Sequence, residues 1–325
     1  MPMPMPAAGT PYHRLTARLP WWRTLLTLIG ALIGAQIAMI PAALASRHVS
    51  PDGVPILGDF TELVLSFVAV ACILPVTILI IRWGEGRRAA TLVGVTGRPA
   101  WPWLAVCSGL AATCIVIAFA ISIIAMTVAA LAGASPPSEE RTLTLEGAAD
   151  RLIILPILLF LIIGQVAAEE VLTRGVVLQA VGRLTRSPWP AIIVQAVVFT
   201  ALHGAGELWG TLGVLTMGVA LGWITVRTGG LEAAFSFHFL FNCTVAVPTV
   251  IFGATSPTDN AVTGSWPQAL ILGGAATIYT LIASVLARPL GINAAVTDPQ
   301  PQVTAPADLI RHGTQRADET ARSTR

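Results

Sequence analysis

The stretch GQVAAEEVLTRGVVLQAV, residues 164–181, lies in an apolar run over roughly residues 152–182 and carries two adjacent glutamates, Glu169 and Glu170. A run of that length is enough to cross a bilayer, which takes about 20 apolar residues in a helix. A carboxylate at bilayer depth costs several kcal/mol unless it is paired, hydrated or protonated. The doubled glutamate therefore needs a partner for each carboxylate, and finding those partners decides both the fold and the site.

Composition sets the solvent. Of 325 residues, 54% are apolar and 11% charged, with a mean hydropathy of +0.75. No soluble domain of this size hides that much apolar surface, so the chain reads as an integral membrane protein whose first partner is the lipid bilayer. The formal net charge of +2 gives no sign of nucleic-acid binding, and none is expected. All 19 Lys+Arg residues are arginine, which reflects coding bias and points to a GC-rich bacterial source. Cys72, Cys107, Cys114 and Cys243 all fall in apolar runs without C-x-x-C spacing, as buried free thiols do.

Apolar segments predict an all-α, polytopic transmembrane helical bundle of about eight spans: 22–45, 61–82, 102–133, 152–182, 189–205, 210–226, 232–252 and 267–287. The third and fourth are longer than a crossing requires, so tilt or protrusion is expected. With the N-terminus inside, Arg14, Arg18, Arg23, Arg82, Arg87, Arg88, Arg98, Arg183, Arg186, Arg227 and Arg288 flank cytoplasmic ends. Arg47, Arg141 and Arg151 fall on the other side, with Glu139, Glu140, Glu146 and Asp150. This asymmetry places both termini in the cytoplasm of a multi-pass protein of the bacterial plasma membrane. Residues 1–20 read as a Pro-rich cytoplasmic tail, 21–288 as the membrane domain with a core at about 151–252, and 289–325 as a disordered cytoplasmic tail. AALAS at residues 42–46 resembles a signal-peptide cleavage site, but the run before it is too long for a usual signal, so a retained first span is expected. Trp21, Trp22, Trp101 and Trp103 read as interfacial anchors.

Away from the span ends the acidic, basic and imidazole groups are few: Glu169, Glu170, Arg174, His203 and His238. Glu170 and Arg174 are four apart on a helix and can form an ion pair, whereas Glu169 is turned about 100° away from that partner. Spans four and five form a hairpin turning near Arg186, with Glu169 17 residues before it and His203 17 residues after it. At about 1.5 Å per residue the two reach the same depth, roughly 25 Å from the turn. His238 and Asn242 share one face of span seven, and Phe199 and His203 one face of span five. Two imidazoles, an amide and a spare carboxylate converge on one region, the expected form of a site lining a bundle interior.

EEVLTRG, FTALH and HFLFN, at residues 169–175, 199–203 and 238–242, match the patterns E-E-x-x-x-R, F-x-x-x-H and H-x-x-x-N. In that order, and inside membrane segments, they resemble the CAAX-processing and bacteriocin-processing (CPBP, or Abi) intramembrane proteases, which include the type II CAAX prenyl endopeptidases. The resemblance implies that Glu169 is the general base on a water held by His203. It implies that His238 and Asn242 donate to the oxyanion, and that Glu170 and Arg174 support the site. No cofactor is expected on this scheme. The substrate would be a membrane-associated or lipidated protein or peptide. Prenylated substrates are not the obvious expectation for a bacterial chain, and oligomeric state is not legible.

Other assignments stay open at this stage. Glu169, His203 and His238 can form a zinc site of a metalloprotease, although the helical H-E-x-x-H is absent. A non-catalytic scaffold, immunity or transport protein also places buried carboxylates and histidines mid-helix, but no repeat relates the two halves. Gln165 either orients Glu169 or bonds another helix, Asn242 can serve as interhelical glue, and Phe199 is expected to pack. Glu207 is read as a solvated loop charge.

Overall fold

The computed structural model describes residues 6–46, 60–133, 152–204, 206–252 and 265–297. Among the described residues eight long helices follow one another: α1 Trp21–Ser46, α2 Thr61–Gly84, α3 Trp101–Leu131, α4 Ile154–Gly182, α5 Trp189–Leu202, α6 Leu208–Thr228, α7 Glu232–Phe252 and α8 Trp266–Ala287. No strand occurs among the described residues, only two isolated bridges. Seven of the helices are long and apolar enough to span a membrane. The chain is a multi-pass membrane protein with an all-α bundle.

The eighth, α5, is apolar but shorter than the span expected over 189–205. α5 has 14 residues, about 21 Å of helix against a hydrocarbon core of roughly 30 Å. It ends at His203, which caps it, and Gly204 turns the chain with φ 86°. Span five thus stops inside the depth covered by its neighbours and leaves a histidine at its tip. α3 shows the converse, with 31 residues. Its buried side chains run from Trp103 to Ile115, and its apolar side chains beyond that point are exposed to lipid.

Helix starts follow local chemistry. Pro102, Pro190 and Pro267 sit in the first turns of α3, α5 and α8, where an N–H would have no partner. The side chain of Gln268 accepts the Ser265 backbone N–H at 2.7 Å and so closes the start of α8. α6 stops at Gly229, whose φ of 72° is left-handed. Where α5 meets α6, a side chain at Gly222 would collide with the amide of Gln195. That amide, wholly buried, reaches the backbone oxygen of Gly218 at 2.7 Å, as small residues permit between membrane helices.

One end of the bundle is tied together by arginine and by the chain's own beginning. Arg183 donates to Leu19 O and Thr24 Oγ1 at 2.6 Å each. Tyr12, fully buried, donates to Leu92 O at 2.6 Å, and Thr16 donates to Gln179 O at 2.9 Å. Arg87 joins Glu85 and the Gln179 side chain at 2.6 Å each. Pro11 and Ala295 form a bridge. The segment read as a Pro-rich tail is docked from Gly9 to Pro20, and residues up to Val296 pack against it. The expected charges at the other end (Arg47, Arg141, Arg151, Glu139, Glu140, Glu146 and Asp150) lie outside the described residues, as do 298–325.

Candidate active site

α4 carries the two glutamates at a change of helix type. Residues Ile154–Glu170 are α-helical, Val171–Val177 form a π-helix, and Leu178–Gly182 return to α. The N–H of Leu178 reaches back to Thr173 O. Thr173, fully buried, gives its hydroxyl to the backbone oxygen of Glu169 at 2.6 Å. Such wide turns break the helical ladder locally and recur at functional sites. Nothing in VLTRGVV marks a π-helix by residue type, and the role of Thr173 was missed.

The two carboxylates have separate surroundings. Glu170 Oε1 receives Arg174 Nη1 at 2.8 Å and also lies 2.8 Å from His238 Nδ1. All three side chains are at most 2% exposed. The expected ion pair exists, but it also holds a histidine of α7. Glu169 is 13% exposed at its side chain, and its Oε2 lies 3.4 Å from His238 Nε2. Among the described residues that oxygen is buried without a hydrogen-bond partner. Its Oε1 accepts the amide of Gln165 at 2.7 Å, and the oxygen of that amide accepts Asn242 Nδ2 at 2.9 Å.

Phe199 is the wedge around which the groups assemble. The Arg174 guanidinium lies over its ring, 4.4 Å from the centroid. The rings of His203 and His238 meet it edge-on at 4.6 and 5.5 Å. This packing brings α4, α5 and α7 together, and residue counting from the Arg186 turn anticipates the meeting of α4 with α5. His203 does not reach Glu169 directly. Its Nδ1 donates to Phe199 O at 2.8 Å, which leaves Nε2 as the lone-pair nitrogen of the neutral ring.

Glu169, His238 and Asn242 are therefore gathered, Glu170 and Arg174 buttress them, and His203 shares with His238 a contact to the ring of Phe199. Asn242 reaches Glu169 through Gln165 rather than directly. Among the described residues no group of three His, Cys, Asp or Glu side chains is placed to hold a metal ion. Of the alternative zinc set, Glu169 Oε2 and His238 Nε2 lie 3.4 Å apart, while His203 bonds Phe199 O through Nδ1.

Comparison with known proteins bears on this same stretch. Residues 151–244 match the family described as type II CAAX prenyl endopeptidase, Rce1-like. The site lies in an Rce1-like segment. Over 93 residues the chain is 34% identical to "Uncharacterized protein YyaK" of Bacillus subtilis (strain 168). That match covers 27% of this chain and 29% of the relative. No solved structure matches. The Rce1-like segment begins just before α4 and closes two residues past Asn242, so it contains every residue of the assembled site.

Proposed function

We propose that the protein is an intramembrane endopeptidase of the CPBP type, hydrolysing a peptide bond in a membrane-associated or lipidated protein or peptide. Oε2 of Glu169 takes a proton from a water molecule that His203 Nε2 helps to hold. The water oxygen attacks the scissile carbonyl carbon, and the carbonyl electrons become an oxyanion. His238 Nε2–H and Asn242 Nδ2–H donate to that oxyanion. As the C–N bond breaks, Glu169 returns its proton to the leaving nitrogen, giving a carboxylate product and an amine. No step is routed through a metal.

The supporting observation is the division of labour between the glutamates. Glu170 fixes His238 through Nδ1, so Nε2 carries a hydrogen only when the ring is an imidazolium. Glu170 thereby answers Arg174 and His238, and Glu169 keeps Oε2 for the water. The arginine-rich end supports substrate entry from the cytoplasm. The test uses purified protein in liposomes and a pool of internally quenched peptides, some ending in a prenylated Cys-a-a-X sequence and some apolar without a prenyl group. Cleavage by wild type, lost in Glu169→Gln, supports the proposal. Absence of cleavage across the pool, or an equally active variant, contradicts it.

A further inference from the structure

Gln165 lies one turn before Glu169 and is 6% exposed. It uses both ends of its amide, accepting Asn242 Nδ2 at 2.9 Å and donating to Glu169 Oε1 at 2.7 Å. An amide has a fixed polarity, with its acceptor at one end and two donors at the other. The two bonds consequently constrain each other. With Gln165 Oε1 turned to Asn242, its nitrogen faces the carboxylate, and Asn242 presents Nδ2 rather than Oδ1. Nδ2 has a second hydrogen, left over for a substrate oxygen. At the other end, Oε1 of Glu169 is occupied as an acceptor, and Oε2, facing His238 at 3.4 Å, is the oxygen able to take a proton.

The geometry points to Gln165 as the positioning residue of the site: one amide selects which oxygen of Glu169 is the base and which edge of Asn242 faces the reacting carbonyl. This rests on the peptidase proposal above. A side chain that only tied α4 to α7 would be served by the bond to Asn242. Here the second bond ends on the carboxylate that moves the proton, so base and oxyanion donor are set by one group.

Two substitutions test it, with the same peptide pool and with Glu169→Gln as a parallel arm. Gln165→Met keeps the length of the side chain and removes both bonds. Its kcat is expected to fall about 100-fold through misplacement of reacting groups, with KM unchanged. Gln165→Glu, when ionised, sets a second carboxylate against Glu169. When protonated, it rebuilds the relay, its hydroxyl donating to Glu169 and its carbonyl accepting from Asn242. The ratio of its kcat to wild type is expected to rise as pH falls from about 8 to about 5, while the ratio for Gln165→Met stays flat. Both variants are checked for monodispersity and for an unchanged melting temperature. If wild type cleaves, Glu169→Gln does not, and both Gln165 variants keep wild-type kcat or change only in stability, the positioning role is overturned and the peptidase proposal stands. A wild type that cleaves nothing, or a Glu169→Gln variant as active as wild type, overturns both.

Discussion

His238 Nδ1 lies 2.8 Å from Oε1 of Glu170, the oxygen that also receives Arg174. A single carboxylate oxygen thus holds a guanidinium from its own helix and an imidazole from α7. Glu170→Gln keeps the shape and withdraws the charge, leaving Arg174 buried without its counter-charge. Breaking a buried pair in this way costs about 3–5 kcal/mol. The expected outcome is a lowered melting temperature together with lost cleavage, read by thermal unfolding in detergent and by the peptide assay. A variant of wild-type stability would show that the pair does not support the site.

Phe199 makes three contacts with charged or polar rings and groups, so it should behave as more than filler. Phe199→Leu removes the edge-on contacts to His203 and His238 and the cation–π contact to Arg174. Their combined loss is about 1–3 kcal/mol. Cleavage should drop in step, because both histidines lose the surface that aligns them. Unfolding midpoints and kcat for this variant, measured beside Phe199→Tyr, check the expectation.

Metal removal gives a separate prediction. On the glutamate-base scheme, prolonged dialysis against a chelator should leave cleavage unchanged, and metal analysis of active protein should find no stoichiometric ion. Loss of activity on chelation that is restored by added zinc would favour the zinc alternative.

His13, in the segment docked at the arginine-rich end, offers a pH prediction. Burial holds its imidazole below the usual histidine range. Its Nε2 lies 3.4 Å from Arg186 O, and its buried Nδ1 has no partner among the described residues. Protonation at Nδ1 therefore adds a buried N–H without an acceptor. The folded form binds the proton less tightly than the released segment, so docking is full above the ordinary histidine value near pH 6.5 and weakens as pH falls below it. Protease cleavage between Pro11 and Pro20 should accelerate on acidification in wild type, and much less so in His13→Asn.

What could be read from the sequence depended on how local the signal was. Helix identity and the Glu170–Arg174 pair follow from apolar length and residue counting. The short α5 did not show, because His203, Gly204 and Ala205 include no Asp, Glu or Arg that would end the apparent span at Leu202. The docked N-terminal segment did not show either: its proline-rich composition resembles a tail, while Tyr12 and Leu15 make their contacts with residues far along the chain. The bonding of Gln165 to both Asn242 and Glu169 required knowing the rotation of α7 against α4, which spacing along one helix cannot give.

The most direct test of the central claim is the rate of peptide cleavage by Glu169→Gln, at matched folding, relative to wild type. Loss of a general base is expected to lower kcat by about 10²–10⁴-fold, with the melting temperature and monodispersity retained, because Glu170 rather than Glu169 carries the structural ion pair. Cleavage by Glu169→Gln at the wild-type rate would contradict the assignment of Glu169 as the base.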